Sequence, residues 1–136
     1  MTLSKGEEET YNIAKQTAEK IKNGGLLCLF GDLGTGKTVF TKGIAEALGI
    51  NSFTVKSPTY TYIREYEKSP HKIYHIDLYR LDSIDELLLH EINEILNNKN
   101  NIVIIEWADK MLHFLPKERI DIHFKYIDEN TRELTF

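Results

Sequence analysis

Leu26-Leu27-Cys28-Leu29-Phe30-Gly31-Asp32-Leu33-Gly34-Thr35-Gly36-Lys37-Thr38 is the stretch from which the fold can be read. The unbroken apolar run from Leu26 to Phe30 suits a strand buried on both faces. Gly31 to Thr38 then match the pattern G-x-x-x-x-G-K-[ST] without departure. Glycines at 31, 34 and 36 permit positive φ, so successive N–H groups can turn inward around an anion. A helix opening at Lys37 adds its positive dipole end at the same point. Lys37 becomes the point charge for the β- and γ-phosphates, and the Thr38 hydroxyl is available to Mg²⁺. Strand before and helix after distinguish a phosphate-binding loop from a chance glycine turn.

Working outward, Glu7 to about Lys22 carries Tyr11, Ala14, Ala18 and Ile21 at helical spacing, closed by Asn23-Gly24-Gly25. Thr38 to Leu48 predicts a second helix with Phe40, Ile44, Ala47 and Leu48 inward and Gly49 as its stop. Thr59 to Tyr66 and Lys72 to Ile76 read as strands around a turn at Lys68-Ser69-Pro70-His71. Ser83-Ile84-Asp85-Glu86 has the form of a capping box, opening a helix to about Leu96. Ile102 to Ile105 is a second core strand. Arg119 to Tyr126 alternates Ile120, Ile122 and Phe124 against Asp121, His123 and Lys125, and Thr131 to Phe136 returns beside it as a last strand. The order implies an α/β fold: a P-loop NTPase-like three-layer domain with a mixed central β-sheet flanked by helices, residues 1–136 forming one nucleotide-binding unit.

Composition narrows the function. The 136 residues are 41% hydrophobic and 28% charged, ordinary for a soluble domain. No apolar run is long enough to span a membrane, and the acidic opening MTLSKGEEET lacks a signal-peptide core. A lone cysteine, Cys28, suits a reducing compartment, so a cytoplasmic location without membrane attachment is expected. A net charge of −4 argues against autonomous nucleic-acid binding.

A phosphate loop needs an acidic partner at the end of a neighbouring strand. Glu106 follows Ile102-Val103-Ile104-Ile105, and Asp77 follows Tyr74-His75-Ile76, so both are candidates. The histidines lack metal-ligand spacing, although His75 is placed to hydrogen-bond Asp77. Asn98-Lys99-Asn100-Asn101 lacks the aspartate that reads guanine, which disfavours guanine specificity.

Taken with the loop, the blocks Ser57-Pro58-Thr59-Tyr60-Thr61, His75-Ile76-Asp77-Leu78-Tyr79-Arg80-Leu81 and Glu106-Trp107 follow in an order that resembles the TsaE (YjeE) family. These are bacterial P-loop ATPases needed to make N6-threonylcarbamoyladenosine (t6A) beside the anticodon of certain tRNAs. The resemblance extends over essentially the whole chain. It implies ATP as ligand, with Leu33, Gly34, Thr35, Gly36, Lys37 and Thr38 around the phosphates and Thr38 and Glu106 on Mg²⁺. Lys37, Asp77 and Glu106 would carry catalysis, Asp77 either orienting the attacking water or holding the metal's water shell. Ser57, Pro58 and Thr59 would belong to a switch-like loop sensing the γ-phosphate. Trp107 would shape the site beside Glu106, Glu7 and Thr10 would lie near the adenine, and Arg132 near the nucleotide.

The implied partner is a TsaB–TsaD heterodimer, reached by tRNA only through the complex, with slow ATP hydrolysis by the small subunit supporting its turnover. Two other readings share the same loop: a small-molecule kinase and a non-catalytic nucleotide sensor. Arg64, Arg80, Arg119 and Arg132 are scattered rather than grouped as a kinase lid would need.

Overall fold

The elements follow the chain as β1 (Thr2–Ser4), α1 (Glu7–Ile21), β2 (Gly25–Phe30), α2 (Lys37–Ala47), β3 (Ile63–Lys68), β4 (His71–Asp77), α3 (Glu86–Asn97), β5 (Ile102–Glu106), a 3-10 helix (Ala108–Phe114), β6 (Ile120–Asp128) and β7 (Thr131–Thr135). This computed structural model describes residues 2–32, 34–50, 62–68 and 70–136. Among the described residues, seven strands form one sheet in the order β1-β7-β6-β2-β5-β4-β3. The centre is parallel: β2 lies between β5 and β6, and β4 lies on the far side of β5. Antiparallel pairs close both flanks, β3 with β4 on one side and β6, β7 and β1 on the other. The sheet is therefore mixed, as the order of elements predicts.

Helices cover both faces, giving three layers. On one face Leu27, Leu29, Ile104 and Ile122 pack under Ala14, Ala18, Phe40 and Ile44 of α1 and α2. On the other, Leu26, Cys28, Val103 and Ile105 meet Leu88 and Ile92 of α3 and Ala108 and Met111 of the 3-10 helix. A side chain such as Phe40, fully withdrawn from water, contributes about 1.5–3 kcal/mol. Helices α1 and α2 touch closely through Gly43, where a Cβ would fall 2.7 Å from that of Ala14.

Several local expectations shift. α3 is capped by Asp85, whose carboxylate accepts the Leu88 N–H at 2.8 Å, and not by a Ser83–Glu86 capping box. Aspartate caps as well as serine, so the true cap lies two residues downstream of the one the spacing suggests. In α2 the buried stripe is Phe40, Thr41, Gly43, Ile44 and Ala45, while Ala47 is exposed. α1 buries Thr10 and Thr17 beside its alanines, with Tyr11 half-buried. β3 begins at Ile63, the proposed strand residues 59–61 lying outside the described residues, and Lys68 and His71 pair across the turn as strand residues. β1 and the 3-10 helix have no counterpart in the sequence reading. Each is too short to carry a periodic signal.

Candidate active site

Parallel strands of an α/β sheet gather their loops at their carboxyl ends, where ligands bind. Here β2 ends in the Gly31 loop, β4 in Asp77 and β5 in Glu106, with Asp77 and Glu106 paired in register. The loop conformation depends on glycine. At Gly31, φ is +143° and a Cβ would sit 2.7 Å from the Phe124 carbonyl oxygen. Gly36 is left-handed at φ 97° and precedes α2, whose N-terminus has no side-chain cap. The first N–H groups of α2 are thus turned toward the loop's concavity rather than onto a capping side chain.

Lys37 is buried, only 5% exposed, and folds back over the loop. Its Nζ donates to the Gly31 carbonyl, to the Asp32 carbonyl at 2.7 Å and to Thr35 Oγ1 at 3.3 Å. Thr35 Oγ1 in turn donates to the Asp32 carbonyl at 2.6 Å. Burial pushes the Lys37 ammonium below the usual lysine range, while Glu106, Asp32, Asp77 and Asp109 pull it back up. Trp107 covers the same ammonium, Nζ lying 4.5 Å from the ring centroid, and leans on Tyr79 at 5.1 Å. Among the described residues Trp107 is the one non-glycine with positive φ (58°), which turns its ring away from the β5 line and over the loop.

The acids differ in setting. Glu106 is 3% exposed, and its Oε2 is hydrogen-bonded with Nε2 of His75, itself 1% exposed. Asp77 is half-buried and accepts the Tyr79 N–H at 3.1 Å. Its carboxyl is held above the ordinary aspartate range, first by burial and then by Glu106, against the Tyr79 N–H, His75 and Lys37. The expected His75–Asp77 hydrogen bond is thereby corrected. The two residues share one face of β4 two positions apart, and the imidazole reaches sideways to the neighbouring strand instead.

Two further segments close the site. Ser4 Oγ donates to the Gly6 carbonyl at 2.8 Å and meets Thr10 Oγ1 at 2.6 Å, which fixes the β1–α1 corner. From β7, Arg132 Nε donates to the Gly34 carbonyl at 3.0 Å while its guanidinium stacks over Tyr126. Together these elements enclose a cavity of about 680 Å³, within the range of small-molecule sites.

Every candidate site residue that the structure describes lines this one cavity: Glu7, Thr10, Gly34, Thr35, Gly36, Lys37, Thr38, Asp77, Glu106, Trp107 and Arg132. Leu33 and the switch-like Ser57, Pro58 and Thr59 lie outside the described residues. Tyr62, Tyr79, Arg80, Glu129 and Asn130 also line it and were not singled out from the sequence. Tyr79 and Arg80 sit inside the His75–Leu81 block, so a signal for them existed. The hairpin turn at Glu129-Asn130 gave none.

Among the described residues, no cluster of three or more His, Cys, Asp or Glu side chains could hold a metal unaided. One buried carboxylate and one hydroxyl beside the glycine loop are nonetheless the sparse kind of donor set that Mg²⁺ uses, with phosphates and water completing its shell.

The model of the family "Threonylcarbamoyl adenosine biosynthesis protein TsaE" matches residues 4–134. The chain belongs to the TsaE family. The TsaE protein of Bacillus subtilis is 44% identical over 129 residues, covering 95% of this chain and 79% of that one. The TsaE of Borreliella burgdorferi is 40% identical, with 90% and 89% covered. A crystal structure of Bacillus subtilis YdiB superposes with a TM-score of 0.75 at 38% identity, covering 98% of this chain and 80% of that one. The three-layer fold is thus shared with a solved relative. No described helix is long and apolar enough to cross a membrane.

Proposed function

We propose that this chain is a single-domain, magnesium-dependent and slow ATPase that acts in t6A biosynthesis as the accessory subunit of a TsaB–TsaD heterodimer in the cytoplasm. The observation that carries the reading is the convergence of Lys37, Asp77 and Glu106 on the glycine loop within one cavity. Family membership supports the biosynthetic role.

In this reading the triphosphate tail lies across the N–H groups of residues 34–38, and Lys37 exchanges the Gly31 and Asp32 carbonyls for phosphate oxygens. Thr38 and Glu106 would hold Mg²⁺, which would supply charge neutralisation to the phosphates. Asp77, poised by its raised carboxyl, orients a water whose oxygen bonds to the γ-phosphorus as the bond to the bridging oxygen breaks. ADP and inorganic phosphate result. Arg132 is committed to the Gly34 carbonyl and to its own hairpin. Lys37 is the cation already folded over the loop, and hydrolysis by the isolated chain should be slow until the heterodimer docks.

The test is reconstitution. With purified partners, modified tRNA is counted over many turnovers with and without this chain. A yield limited to about one turnover in its absence is expected, and equal yields would overturn the proposal.

A further inference from the structure

The buried histidine of the site has a hydrogen-bonding pattern that assigns it a task. His75 pairs with Ile104 in the β4–β5 ladder, one pleat below the Asp77–Glu106 pair, so its ring and the Glu106 side chain rise on the same face of the sheet. That face is apolar beneath them, with Ile73, Ile104 and Leu29 all within 2% exposure. The Nε2 atom meets Glu106 Oε2. The other ring nitrogen, Nδ1, is buried with no hydrogen-bond partner among the described residues. A proton on Nδ1 would have no acceptor, whereas a proton on Nε2 has a carboxylate oxygen to donate to, so the hydrogen bond runs from His75 to Glu106.

We infer that His75 is a positioning residue: its Nε2–H fixes Oε2 of Glu106 and so aims Oε1 at the metal position. The inference rests on the proposed nucleotide site, because it is Glu106 that faces the cavity. Oε1 has no hydrogen-bond partner among the described residues, so the donor on Oε2 sets the carboxylate plane. A histidine that holds a carboxylate ligand by its far oxygen acts as the outer-shell partners of metal sites do, where loss typically costs 10–100-fold in affinity. A purely structural role predicts otherwise. Removing one partner of a buried charge-assisted pair destabilises the fold, but in a purely structural role the folded fraction would keep its metal dependence.

The test compares His75→Leu and His75→Gln, the second retaining an N–H near the Nε2 position. Affinity for ATP is measured by calorimetry with Mg²⁺ and with EDTA. For His75→Leu, a loss of at least about tenfold in the Mg²⁺-dependent component is expected, with metal-free affinity within about twofold. His75→Gln should recover most of that loss. If both variants keep the parent's magnesium response, the inference is overturned. If the parent has no magnesium response, the nucleotide reading falls and takes this inference with it. Nitrogen-15 NMR of the parent decides the hydrogen bond without nucleotide: a protonated Nε2 and a bare Nδ1 at His75 are expected, with the Nε2–H resonance moving in Glu106→Gln. A proton found on Nδ1 alone overturns the inference whatever the affinities are.

Discussion

Arg132 of the last strand donates through Nε to the carbonyl of Gly34, a bond of 3.0 Å that joins positions 98 residues apart in the chain. The same guanidinium also grips the Asp128 carbonyl of its own hairpin at 2.5 Å. The β6–β7 hairpin therefore holds the glycine loop from outside the parallel core. Arg132→Ala should weaken ATP binding about tenfold, the worth of one charge-assisted hydrogen bond, measured by calorimetry. Arg132→Lys should not recover it, because an ammonium cannot span two carbonyls in the planar fork that arginine offers. An unchanged Kd in Arg132→Ala would show that the loop keeps its shape unaided.

Trp107 is the single tryptophan of the chain, and its ring stands 4.5 Å from the Lys37 ammonium. Drawing that ammonium toward phosphates changes the field at the indole, so ATP with Mg²⁺ should alter the intrinsic emission. Lys37→Ala should abolish the ATP-dependent change and lower triphosphate affinity by at least about tenfold. Emission that ignores saturating nucleotide in the parent would refute this placement of the lysine.

Two glycines separate stability from binding. At Gly24, φ is +119° and an added Cβ would lie 2.1 Å from the Lys99 carbonyl oxygen. Gly24→Ala should cost about 2–5 kcal/mol, overpacking adding to backbone strain. At Gly34, φ is +77° with nothing within 4 Å, so Gly34→Ala should cost only about 1–2 kcal/mol. Urea denaturation reads both. The folded fraction of Gly24→Ala should bind ATP normally, since that turn lies at the opposite end of β2 from the loop.

Cys28 supplies a pH prediction. Burial first, and then the Asp121 charge against the opposing Arg119, push its thiol from 9.0 up to about 12. The native chain keeps this proton after the unfolded chain has released it. Its contribution to stability is therefore whole below pH 9 and falls between pH 9 and about 12, by up to about 1.4 kcal/mol per pH unit. Cys28→Ala should be less stable at pH 7, from the cavity left in the core, yet decline less steeply above pH 9. Parallel alkaline slopes in urea melts of the two proteins would contradict the assignment.

Much of the architecture was legible because its signals are local. The apolar run before Gly31 and the glycine spacing specify strand, loop and helix within a few residues of one another. Glu106 and Asp77 were legible for a similar reason, each ending a strand whose burial the residue types announce. What escaped was decided across the sheet. The pairing of His75 with Glu106 depends on which strand lies beside β4, and i, i+2 spacing pointed to Asp77 instead. The reach of Arg132 to Gly34 depends on where the last hairpin folds back, which the alternation of β6 does not encode. Ser83 and Asp85 are equally competent helix caps, so cap chemistry alone does not decide the start of α3.

The left-handed backbone at Trp107 sets torsional strain against packing at a single α-carbon. A non-glycine residue there holds about 1–2 kcal/mol of torsional strain that glycine would release. Gly or Asn at position 107 would relax that strain but forfeit the packing of the indole against Tyr79 and the core beneath it. Either replacement would also strip the aromatic roof from the lysine, so the strain is kept where the ring is needed.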